Sequence, residues 1–490
     1  MSPTQIQNLL QQAVTLHRAG RMEQADAIYT RVRMAAPRNF DVLHLSGTLA
    51  LQQNRLSEAI TLLSQAHKLD PKSAVCAMRL GVSLLTAGRN AEAEPYLRRA
   101  VQLDSNFHEG WDNLAYCLKT QDKLIAAVEC HHQVITLKPD YAAGWYNFGL
   151  TLSLLGRSGD ALRAHEQALA ADPNYAQARF GRAQALQQTN RNEEAIAEYD
   201  RYLALEPGNL DGWSYRLLAL NNLPGISRER LFAEHVAYGR RATPKSVPEV
   251  VTDPSPERRL RIAILSPDLR AHSCAYFLEP LLQHLDQEAF ELYLYHDHFR
   301  SDAITQRLRG LANVWREFVG QAGPLVEKTI RADRPDILID LAGHTGMTGR
   351  LPLFARRLAP VQINYLGYPN TTGLTTMDYR FTDAEADPVG EADRFATEKL
   401  VRFAPTAWTY QPPRPTPPVS AAPCLKTGAV TFGCFNNLGK LTDEMMSVWA
   451  RLLGTLPGSR LLLKGRGLGD DPEVRRIYAA RLAARGLPME

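Results

Sequence analysis

The stretch Gly88-Arg-Asn-Ala-Glu-Ala93 places a glycine five residues before an alanine, and this spacing recurs along the N-terminal half of the chain. Turn-forming residues recur every 34 positions: Gly20, Asn54, Gly88, Asp122, Gly156 and Asn190. Five residues after each of them stands an alanine: Ala25, Ala59, Ala93, Ala127, Ala161 and Ala195. Glycine, asparagine and aspartate tolerate the left-handed backbone between two helices, and alanine lets helices approach closely. The period therefore predicts an array of helix pairs.

Two further series have the same period. One marks the end of each second helix: Pro37, Pro71, Ser105, Pro139, Pro173 and Pro207. The other supplies a small residue where the first helix would pack closely: Gly47, Gly81, Ala115, Gly149 and Ala183. Together the four series resemble the tetratricopeptide repeat (TPR) over roughly residues 5–220. They predict an α-solenoid of about six repeats spanning residues 1–223.

Stacked helix pairs leave a concave groove that suits an extended protein or peptide partner. Asn113 and Asn147 share one position of the repeat near its inner face, where their amides could hold a peptide backbone. A solvated helix face is the alternative, because three equivalent positions carry other residues: Leu45, Arg79 and Gly181. Tryptophans on the same 34-residue spacing are expected to pack between helices: Trp111, Trp145 and Trp213.

The period is lost between residues 224 and 258, where prolines mark a linker: Pro244, Pro248, Pro254 and Pro256. Short apolar runs separated by helix-like segments follow at residues 260–265, 290–295, 336–341 and 361–366. Strands that alternate with helices predict a doubly wound parallel α/β region over residues 259–425. Strand-like runs at 429–433 and 459–464 predict that a second α/β unit begins within residues 426–490.

Polar and glycine-rich stretches follow three of these strands, and in such sheets the ligand lies at the carboxyl ends of the strands. His272 follows the first strand, His344 the third, and the loop 367–373 the fourth. Two histidines at one rim favour a site in which either acts as general base or sugar-binding group, over two structural histidines. Lys440 follows the first strand of the second unit, where it would meet a phosphate or remain a solvated surface lysine.

The charge balance of the 490-residue chain is nearly even, since 56 lysines and arginines against 52 aspartates and glutamates leave +4. This excess is far from the basic stripe of a nucleic-acid-binding protein and gives no reason to expect a membrane surface as partner. No apolar run approaches the ~20 residues that span a bilayer, and the N-terminus lacks the features of a signal peptide. We therefore expect a cytoplasmic location.

The six cysteines include no Cys-x-x-Cys pair, so neither a disulfide framework nor a structural zinc site is expected. Cys130-His-His132 and His296-Asp-His298 are dense in possible ligands. Adjacent residues of a helix point in different directions, however, and alternate residues of a strand need further ligands from elsewhere. Packing or surface roles are therefore favoured over a metal at both places.

Several stretches resemble the catalytic region of the protein O-GlcNAc transferase family, which includes the related plant Spindly-type protein O-fucosyltransferases. The matching stretches are residues 266–272, 343–345, 359–362, 366–373, 377–380 with 382–383, and 435–440. The resemblance implies a GT-B enzyme, with two Rossmann-like halves facing across a cleft, that inverts the sugar and needs no metal or other cofactor. It also implies that a nucleotide-sugar donor lies mostly in the C-terminal half and that the acceptor peptide enters along the repeat groove.

The resemblance also implies roles for individual residues. His272 aligns with the histidine proposed as proton acceptor for the Ser/Thr hydroxyl, the donor phosphate being the alternative acceptor. Lys440 matches the lysine that neutralises the departing diphosphate, and Asn437 matches an amide that contacts the nucleotide. Further residues are expected to bind the donor or line the cleft: His344, Thr345, Tyr368, Pro369, Thr371 and Thr372.

The function implied is transfer of N-acetylglucosamine from UDP-GlcNAc to Ser or Thr of proteins. Transfer of fucose from GDP-fucose is an alternative, because the Gly-His-Thr and Gly-Tyr-Pro-Asn-Thr-Thr-Gly forms look at least as much like the Spindly branch. An alternative of another class is a non-catalytic TPR scaffold. The family's Gly/Thr-rich phosphate turn and ribose-binding acid have no counterpart before Glu490. We therefore expect a C-terminally truncated fragment with an incomplete second Rossmann-like half that is inactive alone.

Overall fold

A computed structural model describes residues 1–250, 253, 255, 257–345, 349–412, 416–465, 467–487 and 489. Pro254 and Pro256 of the predicted linker lie outside the described residues. The chain divides into two compact units. Of the described residues, the first unit holds 1–185, 467–483 and 489, and the second unit holds those within 186–465 and 484–487.

The N-terminal half consists of consecutive helices of 12–16 residues, as the repeat predicts. Their bounds are α1 (Pro3–Arg18), α2 (Met22–Ala35), α3 (Phe40–Gln52), α4 (Leu56–Leu69), α5 (Ala74–Thr86), α6 (Asn90–Leu103), α7 (His108–Thr120), α8 (Leu124–Leu137), α9 (Ala142–Leu154), α10 (Ser158–Ala171), α11 (Ala176–Gln188), α12 (Asn192–Leu205), α13 (Leu210–Asn221) and α14 (Arg228–Ala242). Within the part of the chain that the structure describes, no helix is long and apolar enough to cross a membrane.

Each repeated position has the conformation that its residue type predicts. All six turn residues have a positive φ: Gly20, Asn54, Gly88, Asp122, Gly156 and Asn190. All six alanines five positions later are fully buried: Ala25, Ala59, Ala93, Ala127, Ala161 and Ala195. A Cβ added at Gly81 would lie 2.6 Å from Cγ of Leu97 on the next helix, so only glycine permits this close approach.

The tryptophans of the lattice make one recurring contact. The indole N–H of Trp111, Trp145 and Trp213 donates to the backbone carbonyl six residues earlier, at distances of 3.0, 2.9 and 3.2 Å. Arg179 occupies the fourth such position, and its guanidinium donates to the equivalent carbonyl of Pro173 at 2.6 Å. The contact ties the start of a helix to the turn before it, and an unrelated side chain can replace tryptophan in making it.

Within the described residues of the second unit, seven parallel strands form the main sheet, in the order β3-β2-β1-β4-β5-β6-β7. The strands are β1 (Leu260–Ser266), β2 (Phe290–His296), β3 (Val314–Glu317), β4 (Ile337–Asp340), β5 (Val361–Asn364), β6 (Tyr379–Asp383) and β7 (Lys399–Phe403). The helices among them are α15 (Ser273–Gln283), α16 (Ala303–Leu311), α17 (Gly323–Asp333) and α18 (Leu351–Phe354). The predicted α/β architecture is confirmed, and the strand order reverses between β1 and β4, where α/β sheets open a crevice for a ligand.

A separate two-stranded parallel sheet pairs β8 (Thr431–Cys434) with β9 (Arg460–Leu463). Its helices are α19 (Cys424–Thr427) and α20 (Asp443–Thr455), and α21 (Pro472–Ala483) follows. Helix α21 belongs to the first unit, where it packs on α10. The Asp471 carboxylate accepts bonds from Glu473 N at 3.0 Å and from Gly159 N at 2.9 Å, so that one side chain serves the N-termini of both helices.

Candidate functional site

The loop after β1 is held by side chains that accept backbone N–H bonds. Ser266 Oγ accepts from Asp268 N at 2.9 Å, and Asp302 Oδ2 accepts from Ala271 N at 2.7 Å. His272 is the N-cap of α15, and its Nδ1 lies 3.3 Å from Cys274 N. The predicted general base therefore sits on an anchored turn at the carboxyl end of the first strand.

Asp268 and His272 form a carboxylate–imidazole pair, with 3.5 Å between Oδ1 and Nδ1. Burial lowers the pKa of His272 below its ordinary value and raises that of Asp268; the attraction between the two groups opposes both shifts. Two neighbours of His272 Nδ1 favour different tautomers. The backbone N–H of Cys274 can bond Nδ1 only if Nδ1 has a lone pair, whereas the Asp268 carboxylate favours a proton on Nδ1. In the tautomer that Asp268 favours, Nε2 keeps its lone pair, and a neutral imidazole of this kind can accept a proton.

A buried aspartate, which the sequence did not mark as a site residue, holds the turn after β4. Asp340 accepts from Ala342 N at 3.0 Å, from Gly343 N at 2.8 Å and from Asn364 Nδ2 at 2.9 Å. Burial raises the pKa of Asp340 to about 6. The signal available in the sequence was its place as an acid at the end of an apolar strand, three residues before Gly343 and four before His344.

His344 is buried, and both of its ring nitrogens are bonded. Nε2 lies 3.0 Å from the Thr372 carbonyl, which can only accept, so Nε2 carries the proton and Nδ1 accepts from Ser214 Oγ at 2.9 Å. Burial lowers the pKa of His344 well below its ordinary value. The ring packs edge-on against Tyr238 and Tyr368, with centroids 4.5 and 5.0 Å away. His344 thus links the site loops to the last repeat helices. The neighbouring Thr345 Oγ1 donates to Ala342 O at 2.6 Å.

Tyr368 is also buried and bonded to the last repeat helices. Its hydroxyl accepts from Asn221 Nδ2 at 2.6 Å. It donates to His235 Nε2 at 2.7 Å, because His235 Nδ1 already donates to Leu231 O. Burial lowers the pKa of His235 to about 4 and raises that of Tyr368 above its usual range. The 367–373 loop is therefore fixed to α13 and α14, a connection that no sequence pattern predicted.

The two threonines of the loop share one buried carboxylate. Glu398 Oε2 accepts from Thr371 Oγ1 at 2.6 Å, and Oε1 accepts from Thr372 N at 2.7 Å and from the Thr372 hydroxyl. Only 5% of Glu398 is exposed, and it was not among the site residues predicted from the sequence. Pro369, by contrast, is exposed, and its carbonyl accepts from Arg380 Nη2 at 3.3 Å. Of the loop residues predicted to bind substrate, Pro369 is open to solvent whereas Tyr368, Thr371 and Thr372 stabilise the loop from inside.

Asn437 and Lys440 lie on a short exposed turn after β8. Asn437 Oδ1 accepts from Gly439 N at 3.0 Å and so closes the turn Leu438–Lys440. The backbone carbonyl of Leu441 accepts from Asn190 Nδ2 at 3.3 Å. Among the described residues, no carboxylate forms an ion pair with Lys440, whose charge therefore remains available to an anion.

The two groove asparagines do not make equivalent contacts. Asn113 Nδ2 donates to the Glu109 carbonyl of its own helix at 2.7 Å. Asn147 Nδ2 instead lies 3.2 Å from both carboxylate oxygens of Asp112 in the neighbouring repeat. Both asparagines belong to the first unit, while the other predicted site residues belong to the second.

The histidines of the His296-Asp-His298 motif support their own loop. His296 Nε2 donates to Arg300 O at 3.1 Å, and His298 Nδ1 accepts from Arg300 N at 2.9 Å. Asp297 is fully buried and pairs with Arg350 at 2.7 Å, beside a small cavity between the loops after β1 and β4. In this structure the motif packs the crevice and braces its own loop.

Comparison with known proteins identifies relatives for both halves of the chain. Residues 242–410 match the model of glycosyl transferase family 41, and residues 10–74, 44–106 and 146–209 match a tetratricopeptide repeat model. A solved structure of a mutant O-GlcNAc transferase from Thermobaculum terrenum superposes with a TM-score of 0.72 and 32% identity, over 79% of this chain and 73% of that one. The predicted fold class, helical repeats followed by a parallel α/β region, agrees with this match.

Two plant proteins show the same relationship in sequence. The chain is 40% identical over 279 residues to the probable UDP-N-acetylglucosamine–peptide N-acetylglucosaminyltransferase SPINDLY of Solanum lycopersicum, covering 56% of this chain and 30% of that protein. It is 30% identical over 234 residues to the Arabidopsis thaliana protein of the same description called SEC, covering 46% of this chain and 23% of that protein. The chain thus spans less than a third of the length of these curated relatives.

Proposed function

Because this chain belongs to glycosyl transferase family 41, we propose that it acts as an inverting protein O-glycosyltransferase that moves N-acetylglucosamine from UDP-GlcNAc to Ser or Thr. The observation that carries the proposal is the Asp268–His272 pair, 3.5 Å apart at the carboxyl end of β1. A partly exposed imidazole whose pKa is lowered by burial is neutral near pH 7. A neutral imidazole can accept the proton of a hydroxyl.

In the proposed reaction, the acceptor oxygen attacks the anomeric carbon of the sugar on the face opposite the diphosphate. A carbon–oxygen bond to the acceptor forms while the bond to the diphosphate oxygen breaks, so the configuration inverts and UDP leaves. His272 Nε2 takes the hydroxyl proton, with Asp268 stabilising the imidazolium that results. The exposed ammonium of Lys440 would neutralise the charge on the departing diphosphate, and Asn437 beside it would contact the nucleotide. No metal ion is needed for these steps.

The loop residues around His344 would serve this reaction by positioning. Their bonds to Ser214, Asn221 and His235 hold the 367–373 loop in one conformation. A rigid loop keeps reacting groups aligned, and misalignment of about 1 Å can cost on the order of a hundredfold in rate. Exposed Pro369 is the loop residue that we propose touches substrate directly.

Acceptor proteins are proposed to bind as extended segments in the repeat groove. Asn113 and Asn147 would contribute amides to this binding. Their present partners differ: Asn113 donates to a carbonyl of its own helix, whereas Asn147 lies against the Asp112 carboxylate. The names of the plant and bacterial relatives favour GlcNAc as the sugar. GDP-fucose therefore serves as the competing donor in the test. If the protein transfers sugar from neither donor, the non-catalytic scaffold is the function that remains.

The test incubates the purified full-length gene product with UDP-GlcNAc and GDP-fucose side by side, and detects sugar on acceptor proteins by mass spectrometry. His272→Ala should lower the rate by about a hundredfold or more, because a positioned base contributes about that factor. His284→Ala is the matched control, since His284 is exposed at the end of the same helix and should have no effect. Binding of acceptor proteins without transfer from either donor would leave the scaffold as the function.

A further inference from the structure

One group of possible metal ligands stands out at the start of α15. One ligand atom each from Asp268, His272 and Cys274 lies within 4.8 Å of the other two. We propose that these three side chains form a binding site for Zn²⁺, and that the ion inhibits the enzyme by occupying His272. The inhibitory part rests on the proposed transferase function, whereas the binding of the metal does not.

The donor set suits zinc. A carboxylate oxygen, an imidazole nitrogen and a thiolate are its usual ligands, and sites with three protein ligands leave the fourth position to water. Bonds of about 2.0–2.3 Å in a tetrahedron place ligand atoms about 3.3–3.7 Å apart. The 3.5 Å between Asp268 Oδ1 and His272 Nδ1 already falls in that range. The thiol sulfur lies within 4.8 Å of the other two ligand atoms, so it needs a movement of at most about 1.5 Å to complete the arrangement.

Cys274 has no part in the proposed transfer reaction. It is a free cysteine, 7% exposed, at the second residue of α15, and its side chain faces the Asp268–His272 pair. Burial raises the pKa of its thiol to about 12, so the thiol keeps its proton until a metal displaces it. On binding, the S–H bond breaks and a zinc–sulfur bond forms, and one proton passes to solvent. Asp268 and His272 contribute lone pairs.

Arg270 opposes the ion. Its guanidinium lies 3.7 Å from Asp268 Oδ1, so the carboxylate already has a cation beside it. A bound Zn²⁺ would be repelled by this charge and would share the carboxylate with it. Removal of the Arg270 charge should therefore tighten metal binding, the opposite direction from the loss of a ligand.

Metal on His272 would stop the proposed reaction in two ways. The Nδ1–metal bond replaces the contact with Asp268, and it uses the Nδ1 lone pair. The ring proton therefore moves to Nε2, which is left without the lone pair that would accept the hydroxyl proton. Zinc should therefore lower transfer in wild type far more than in a chain that lacks the thiol ligand.

The experiment titrates the full chain, free of added chelator, with Co²⁺ as a spectroscopic substitute for Zn²⁺. Wild type should bind one Co²⁺ at this site, with a near-ultraviolet thiolate-to-cobalt absorption that Zn²⁺ then abolishes. Cys274→Ser should lose the absorption, and Arg270→Gln should keep it at a lower metal concentration. Cys434→Ser is the matched control, since Cys434 belongs to no such group among the described residues and its replacement should change nothing.

Absence of the absorption in folded wild type, or its persistence in Cys274→Ser, would overturn the site. Circular dichroism checks that each variant folds, and Asp268→Asn provides a second ligand variant should Cys274→Ser fail to fold. Zinc inhibition is measured against each variant's own zinc-free rate. Absorption without inhibition would retain the site and reject its inhibitory role, while transfer measured without zinc tests the proposed function separately.

Discussion

The repeat helices and the loops at the carboxyl edge of the sheet are both stabilised by side-chain hydrogen bonds, but they use them differently. In the repeats one contact recurs, as when Trp111, Trp145 and Trp213 each bond the carbonyl six residues earlier and Arg179 replaces a fourth tryptophan. In the site loops each contact occurs once. Glu398 serves both threonines of the 367–373 loop, and the described residues offer no second carboxylate for them. A repeated contact tolerates replacement, and a single contact should not.

The sharpest test of this difference is Glu398→Ala. Its loss leaves the buried Thr372 hydroxyl and the Thr372 backbone N–H without their acceptor, whereas the Thr371 hydroxyl keeps Thr397 Oγ1 at 3.0 Å. Unsatisfied groups of this kind cost about 1–3 kcal/mol each, so the free energy of unfolding should fall by about 3 kcal/mol or more. Urea denaturation measures the change, with exposed Glu288→Ala as control. A loss below about 1 kcal/mol would show that the loop does not depend on this carboxylate.

A smaller effect is expected from Tyr368→Phe, which removes only a hydroxyl. The change leaves Asn221 Nδ2 and His235 Nε2 without their shared partner. We expect a destabilisation of about 2 kcal/mol, and a lower transfer rate because the loop loses its anchor to α13 and α14. Tyr410→Phe, at an exposed tyrosine, is the control for loss of a hydroxyl. Equal stability of the two variants would contradict the assignment.

Within the repeats, the buried His165 offers a test by pH. It is fully buried between Gly149 and Gly181, at the position where two earlier repeats carry Leu63 and Leu97 and the preceding repeat carries His131. Burial lowers its pKa to about 4 from an ordinary 6.5, so the unfolded chain binds a proton that the folded chain refuses. The stability that the neutral imidazole contributes is fully present above pH 6.5. It is lost as the pH falls toward 4, because the free energy of unfolding decreases by about 1.4 kcal/mol per pH unit.

His165→Leu should therefore flatten the acid side of the stability profile. Denaturation at several pH values between 7 and about 4.5 measures the slope in both proteins. His284→Ala, at an exposed histidine, should leave the slope unchanged. An identical slope in wild type and His165→Leu would contradict the assignment of a neutral buried imidazole.

The smallest effect should come from Trp145→Phe. The variant keeps an aromatic ring but loses the indole bond to the Pro139 carbonyl at 2.9 Å. One such bond contributes about 1 kcal/mol, and neighbouring repeats keep their own. Hydrogen exchange should speed up near residues 139–145 and not in the other repeats. A loss of unfolding free energy as large as that of Glu398→Ala would contradict the difference proposed between the two regions.

The same contrast explains what the sequence could predict. Six turn residues with positive φ and six buried alanines follow from a period that is visible without alignment. Strands β1, β2, β4 and β5 are apolar runs and were predicted. Strands β3, β6 and β7 were missed, because Val314–Glu317 is only partly buried and Tyr379–Asp383 mixes charged with apolar residues. Strands of this kind form because a neighbouring strand is present.

The partners of the site residues were missed for a related reason. Ser214 meets His344 across 130 positions of the chain, and Asn221 meets Tyr368 across 147. Such contacts arise when whole elements pack, and no local pattern records them. Their places after predicted strands, and then the resemblance to a family, identified His272, His344 and the 367–373 loop, but neither singled out Glu398 or Asp340. Their roles needed the structure.

The double cap made by Asp471 has a consequence for how the chain is made. Its partner Gly159 lies 312 residues earlier, at the start of α10. A ribosome adds about 5–20 residues per second, so the wait for this carboxylate is roughly 15–60 s. Helices built from local contacts form far faster than that. The helical array should thus emerge and fold early with the Gly159 N–H bonded to water, and this end of α10 should remain open to chaperones until Asp471 has been synthesised.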